Sequence, residues 1–190
     1  MKILLLTPYF SPHRGGSEIF LENLTRRLFQ EDENWTTDVI TYNTEKVAAE
    51  ENFLSESGEK IGTIYRLKTW EILRSQFALP NYFQLLGLIK KWQKSGIHYD
   101  LVISNTRFFD NSQWAPKIAK IFGAKSVLVD YCADHPNHKN KIVTKIAALA
   151  DNFLSCSLKS KYNLVVATSK ATKKFIETLD LGPNEQIIYN

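Results

Sequence analysis

This 190-residue sequence predicts an α/β fold with a mostly parallel sheet and helices on both faces. Three observations lead there. The runs KILLLT (2–7), LVIS (101–104), AKSVLVD (124–130) and NLVVAT (163–168) are apolar without alternation, as parallel strands buried on both faces require. Segments of helical period stand between the strands. The strand–helix alternation itself favours a layered sheet over a bundle or a sandwich.

Taken in order, KILLLT is the first central strand, and Ile19, Phe20, Leu24 and Leu28 then recur at helical spacing. TTDVITY (36–42) and GTIYRLK (62–68) are less apolar and are expected nearer an edge. Residues 43–60 carry acids and amides among small residues and read as a solvated, mobile loop. Residues 69–96 hold Trp70, Leu73, Phe77, Tyr82, Phe83, Leu86, Ile89 and Trp92, with Lys90, Lys91 and Lys94 at the end. Two readings compete for that segment: a core helix whose lysines suit its C-terminal dipole, or a helix lying at a membrane interface near a lipid-linked acceptor. Ala115, Ile118, Ala119 and Phe122 mark the next helix, and TKKFIETL (172–179) a shorter one. Lys139, Lys141, Lys145, Lys159 and Lys161 form a second basic stretch.

At 44% apolar content the chain can bury one core, and residues 1–190 are expected to form a single domain. No run approaches the roughly 18 apolar residues of a membrane span, and the first residues are too few for a signal peptide. The expected location is therefore cytoplasmic, with Cys132 and Cys156 as reduced thiols. A net charge of +4 with bases interspersed among acids gives no reason to expect a nucleic-acid partner, while an anionic ligand or membrane surface is compatible with it.

Ligands of such sheets bind beyond the carboxyl ends of the strands, where strand order reverses. Four clusters fall at such positions. The stretch TPYFSPHRGGSEIF (7–20) brings Gly15 and Gly16 just after the first strand, where missing Cβ atoms permit positive φ and close approach to the backbone. The helix that follows points unpaired N–H groups at the same place, with Ser17 as the expected N-cap and Glu18 in its first turn. Asn105, Thr106 and Arg107 follow LVIS; Tyr131, Asp134 and His135 follow SVLVD; Ser169 and Lys170 follow NLVVAT. Each has a plainer reading: a turn for the glycines, a surface ion pair for Arg107, a solvated side chain for His135. The convergence is the argument. G-x-G-x-x-G and G-x-x-x-x-G-K-[ST] are both absent from 7–20, which lowers dinucleotide and P-loop chemistry. No metal site is expected: His13, His98, His135 and His138 form no i,i+4 pair, and the i,i+3 pair His135 and His138 falls short of a ligand set.

MKILLLTPYFSPHRGGSEIFLENLTRRL (1–28) resembles the opening of the group 1 (family 4) retaining glycosyltransferases of GT-B fold. YDLVISNTRFFDNSQWAPKIAKIFGAKSVLVDYCADHP (99–136) is similar to that family's strand–helix–strand unit before a His-bearing loop, and NLVVATSKATKKFIETLDLGPNEQIIYN (163–190) to its closing segment before a second domain. The resemblance implies a Rossmann-like, doubly wound domain, the N-terminal, acceptor-side half of a GT-B enzyme, with the C-terminal nucleotide-sugar-binding domain absent from this chain. It implies a nucleotide-diphosphate sugar as donor substrate, no permanently bound cofactor, and a glycan or lipid-linked acceptor, as in cell-surface polysaccharide synthesis at the inner membrane face. Gly15, Gly16 and Ser17 would approach the donor diphosphate, His135 the transferred sugar, and Arg107, Tyr131 and Asp134 the acceptor. In such retaining enzymes the departing phosphate takes the acceptor proton, so no separate base is required. The pattern departs at one place. The family's His often follows the strand directly, whereas here Tyr131 and Cys132 stand there and the first His comes later. Alone, a half cleft is expected to be inactive, because it positions neither donor nor leaving group. The alternative is a non-catalytic glycan- or partner-binding domain with the same half-fold.

Overall fold

The computed structural model describes residues 1–73, 77–137, 139–181 and 185–187. Along the chain come β1 (Lys2–Leu6), α1 (Gly16–Glu31), β2 (Thr36–Tyr42), β3 (Glu50–Leu54), β4 (Lys60–Leu67), β5 (Thr69–Leu73), β6 (Phe77–Pro80) and α2 (Tyr82–Lys94). Then follow β7 (Leu101–Asn105), α3 (Asn111–Phe122), β8 (Lys125–Asp130), α4 (Lys141–Leu158), β9 (Leu164–Ala167), α5 (Lys170–Leu179) and β10 (Glu185–Ile187). The main sheet has the order β10-β9-β8-β7-β1-β2-β4-β3, parallel throughout except for β3, which runs antiparallel to β4 at the edge. β5 and β6 form a separate hairpin.

Strand order reverses at β1, which pairs with β2 on one side and β7 on the other. Right-handed crossovers then put α1 on one face and the helices leading toward β7, β8 and β9 on the opposite one. Ile3 and Leu5 accordingly pack with Leu21 and Phe29 of α1. Leu4 and Leu6 pack with Leu85, Ile89 and Trp92 of α2 and Ala115 and Ile118 of α3. All four β1 side chains are at most 2% exposed, which accounts for the unbroken apolar run. Each stabilises the fold by roughly 1.5–3 kcal/mol relative to exposure.

α3 contains Pro116, whose missing N–H leaves the Ser112 carbonyl without its helical donor. The Tyr162 hydroxyl donates to that carbonyl at 2.6 Å and lies 2.6 Å from Ser104 Oγ, so the break is repaired by a tertiary bond. Gly123 then ends the helix in the left-handed region at φ 68°.

Several expectations change. The segment 43–60, expected as a loop, contains β3, whose outer residues are exposed while Phe53 alone is buried, beneath Phe10. One-sided burial at an edge hides a strand in a polar sequence. Residues 69–96 are not one helix: the hairpin comes first, and α2 starts after Asn81, whose side chain accepts from the N–H groups of Phe83 and Gln84. α2 buries Leu85, Ile89 and Trp92, as a packing helix does. On α1 the buried residues are Glu18, Leu21, Thr25 and Phe29, one step from the apolar series in the sequence, and Ile19 is 47% exposed. α4 is a full helix where the sequence suggests only a basic stretch.

Candidate functional site

The carboxyl ends of β1, β7, β8 and β9 meet around the point of strand reversal. Asn105 ends β7, and its Nδ2 donates to Thr7 Oγ1, just after β1, at 3.2 Å. Asn111 Nδ2 ties the two strand ends together, donating to the carbonyls of Leu6 at 3.0 Å and Asn105 at 2.9 Å. Thr106 takes φ 62°, a left-handed conformation costly for a β-branched residue, and so turns the chain sharply inward toward Arg107.

Arg107 is fully buried, and its guanidinium bridges two acids that are also fully buried. Nη1 donates to Asp130 Oδ2 at 2.5 Å and Nη2 to Asp151 Oδ2 at 2.8 Å. Phe175 of α5 lies against the guanidinium with its ring centroid 4.6 Å from Cζ. Burial works against the Arg107 charge, but the two carboxylates outweigh it and hold the guanidinium ionised above its ordinary range. Asp130 Oδ1 accepts from the backbone N–H of Tyr131 at 3.0 Å, which anchors the loop that follows β8.

On that loop, His135 places Nδ1 2.6 Å from Asp151 Oδ2, and its ring meets Phe175 edge-on at 4.9 Å. The carboxylate oxygen takes a proton donor from each side, so neutral His135 carries its proton on Nδ1 and leaves Nε2 as an acceptor. The arrangement resembles the way a buried carboxylate fixes an imidazole in acid–base sites. Cys132 sits beside the same acids; burial, with the Asp130 charge second, pushes its thiol up to about 11.

The glycine corner differs from the sequence expectation. Gly15, not Ser17, is the N-cap, at φ −144°, and neither Gly15 nor Gly16 has positive φ. The nearly buried Glu18 carboxylate occupies the space that a Gly15 Cβ would need, so a side chain at position 15 would have to displace the end of the Glu18 side chain. Beside Gly16 there is open space, and Gly16 is exposed. The helix terminus has no side-chain cap, and its first internal bond runs from Ile19 N–H to the Gly15 carbonyl at 3.1 Å. An anion can therefore reach this terminus over Gly16 and Ser17, not over Gly15.

Arg107 is fully buried between Asp130, Asp151 and the Phe175 ring, with no surface open to an acceptor, and it links the end of β8 to the acid that His135 meets. Tyr131 is half-buried, packs edge-on against Phe20 at 5.7 Å, and keeps a buried hydroxyl without a hydrogen-bond partner. Burial, with Glu18 and Asp130 nearby, pushes that phenol up. Asp134 is exposed and its Oδ1 accepts from the His135 N–H at 2.7 Å. Ser169 caps α5, accepting from the Thr172 N–H at 3.0 Å. The His135 and His138 pair lies partly outside the described residues, at His138. Asp151 is the member of the Arg107 cluster that sequence reasoning passes over. Its only signal there is a lone acid in an otherwise apolar stretch, which periodicity alone does not mark as functional.

A second concavity, of 410 Å³, opens at the carboxyl ends of β2 and β4, lined by Asn43, Lys46, Lys68, Thr69, Trp70 and Asn81. Trp70 is 63% exposed there.

No protein-family model matches the chain. An uncharacterized glycosyltransferase of Methanocaldococcus jannaschii, MJ1069, is 29% identical over 178 residues, which is 93% of this chain and 44% of that protein. Among solved structures, Anabaena HepE in complex with UDP superposes with a TM-score of 0.56 at 20% identity, over 100% of this chain and 44% of that one. A UGT transferase from Siraitia grosvenorii in complex with UDP gives a TM-score of 0.53 at 9% identity, over 98% of this chain and 47% of that one. The chain thus spans less than half the length of the proteins it matches. Sequence similarity to part of one protein and the fold shared with part of HepE and of the UGT transferase agree on the architecture: this chain has the Rossmann-like fold of one half of a GT-B protein.

Proposed function

We propose that this chain is the N-terminal, acceptor-side half of a retaining sugar transferase that uses a nucleotide-diphosphate sugar and is inactive without its second half. The observation that carries this reading is the buried Arg107, Asp130 and Asp151 cluster, which holds His135 in one tautomer at the strand tips. A surface histidine needs no such support. In this reading His135 Nε2 accepts from a hydroxyl of the transferred sugar, and the open N–H groups at Gly16 and Ser17 face the donor diphosphate. UDP is the favoured nucleotide, because the solved relatives HepE and the UGT transferase are described with UDP. The concavity at Trp70 offers a glycan acceptor an indole face and two ammonium groups, from Lys46 and Lys68. Tyr131 and Asp134 lie on the same loop as His135 and contact the acceptor.

One observation favours the alternative of a binding module without transfer: Glu18 already occupies part of the glycine corner. The test is sugar transfer by a protein in which this half is joined to its second half. Given UDP-glucose and other nucleotide sugars, the wild type forms product detectable by mass spectrometry, and His135→Ala lowers the rate about 10²-fold or more. Product formation unaffected by His135→Ala removes the mechanism. No turnover with any donor leaves the binding module.

A further inference from the structure

After β2 the chain turns through Asn43, whose side chain clamps one residue of the turn: Nδ2 donates to the Val47 carbonyl at 2.8 Å, and Oδ1 accepts from the Val47 N–H at 3.0 Å. Inside that clamp Lys46 takes φ 54°, a left-handed conformation uncommon for a residue with a side chain. The backbone beyond β4 is equally tied down. The Lys68 N–H donates to Gln84 Oε1 at 2.8 Å, the Lys68 carbonyl accepts from the Asn81 N–H at 2.7 Å, and the Asn43 N–H donates to the Leu67 carbonyl at 2.8 Å. Trp70 follows in β5, paired with Leu79 of β6. Lys46, Lys68 and Trp70 thus stand on fixed backbone around the 410 Å³ concavity, a volume inside the range of about 300–1,000 Å³ for ligand pockets.

Chemistry identifies what enters it. Trp70 is 63% exposed, so its indole is not used for packing. No acid stands among the residues that line the concavity, and among the described residues neither ammonium has a carboxylate partner. Two cations beside one hollow repel each other until an anion enters. A phosphate is a poor match, because it is cradled by free backbone N–H groups. Here the N–H groups of Asn43, Val47 and Lys68 are already engaged, and the start of α2 is closed by the Asn81 side chain, which accepts from Phe83 and Gln84. A carboxylate needs only the two ammoniums. The electron-rich indole face suits the C–H face of a pyranose ring, so the group that uses both features is a sugar bearing a carboxylate.

We propose that this concavity is a subsite for a hexuronic acid within an acidic oligosaccharide. Sheet order puts β4 four strand spacings, about 19 Å, from β8 and the His135 loop, so the acidic sugar is remote from any hydroxyl that reacts there. The oligosaccharide is then an extended acceptor lying along the strand tips. That consequence rests on the transfer reading; the binding itself does not.

The test is NMR of the 15N-labelled 190-residue chain, read at the Trp70 indole N–H. It is titrated with tetrasaccharides of glucuronate, galacturonate and mannuronate and with their carboxyl-reduced, neutral counterparts. At least one acidic tetrasaccharide should shift that signal and bind about tenfold more tightly than its neutral counterpart, the preference declining with salt, as two exposed ion pairs imply. The double variant Lys46→Gln, Lys68→Gln should abolish the preference. In calorimetric titration, Trp70→Ala should weaken acidic binding about tenfold. Both variants should melt within a few degrees of wild type, since all three side chains are exposed. The proposal is overturned if no acidic tetrasaccharide shifts the Trp70 signal, if the neutral forms bind equally, or if the double variant keeps the preference. Displacement of the sugar by an equal concentration of inorganic phosphate also overturns it, and assigns the ammoniums to a phosphorylated ligand. Binding requires no donor, so its failure is separable from failure of the transfer reading.

Discussion

Asp151 Oδ2 is shared by two donors, Arg107 Nη2 at 2.8 Å and His135 Nδ1 at 2.6 Å. The sharing couples a fully buried ion cluster to a partly exposed imidazole. Neutral histidine in water favours the proton on Nε2, so the structure predicts an inverted tautomer. Imidazole 15N chemical shifts should report an unprotonated Nε2 in the wild type. In Asp151→Asn they should revert toward the solution pattern, and in the two-half protein the same change should lower transfer on the order of 10-fold to 10²-fold. An Nε2-protonated His135 in the wild type would remove the orienting role assigned to Asp151.

The Arg107 cluster also makes a stability prediction. Arg107→Met leaves Asp130 and Asp151 facing each other in the core without a cation. Removing one partner from a buried ionic network costs about 3–5 kcal/mol, and denaturant unfolding should show a loss of that size. Arg107→Lys should recover only part, because an ammonium cannot bridge two carboxylates as a planar fork does. A surface ion pair, the plainer reading in the sequence, would cost at most about 1 kcal/mol.

The central strands and the position of the site are legible in the sequence because their signal is local. KILLL is buried on both faces, and a continuous apolar run of that length between turn residues fits little besides a central strand. Gly15, Gly16, Tyr131 and His135 all fall just past strands, so topology alone gathers them. What stays hidden depends on partners distant in sequence. Arg107 looks like any loop arginine until Asp130 and Asp151 close on it from 23 and 44 residues away. The left-handed turn at Thr106 has no glycine to announce it. α4 is obscured because its apolar stripe faces solvent, and β3 because a single phenylalanine carries its buried side.

The two thiols should react very differently. Cys156 is exposed, whereas Cys132 is half-buried, and desolvation with the Asp130 charge pushes its thiol up to about 11. At neutral pH, Cys132 should be alkylated by iodoacetamide at least about tenfold more slowly than the exposed Cys156. Mass spectrometry of partially labelled protein separates the sites. Equal rates would show that the loop after β8 opens readily.

Asp110 makes the stability depend on pH. Burial pushes its carboxyl above the ordinary 3.8, and hydrogen bonds donated by Tyr42 and Tyr82 reverse only part of that. The folded state therefore binds this proton more tightly than the unfolded one. In the window from 3.8 up to the raised folded-state value, the Asp110 contribution to stability falls as pH rises. Asp110→Asn removes that titration, so its stability relative to wild type should improve across the window and level off above it. Chemical denaturation at several pH values measures the difference. A relative stability independent of pH would show that the buried carboxyl is solvated by water from the surface.

Gly15 and Gly16 are adjacent but should fail for different reasons. A Gly15 side chain would collide with the buried Glu18 carboxylate, so Gly15→Val should lower the melting temperature. A Gly16 side chain meets no atom within 4 Å, and valine exceeds glycine in helix propensity, so Gly16→Val should melt within a few degrees of wild type. The same isopropyl group would stand over the uncapped N–H groups at the start of α1, where the diphosphate is proposed to approach. In the two-half protein, Gly16→Val should therefore weaken UDP binding about tenfold or more while its unfolding curve stays in place, as paired calorimetric titration and thermal melts can show. Unchanged UDP affinity would mean that the diphosphate does not approach over Gly16, and that the glycine pair serves only to pack Glu18 beneath the first turn.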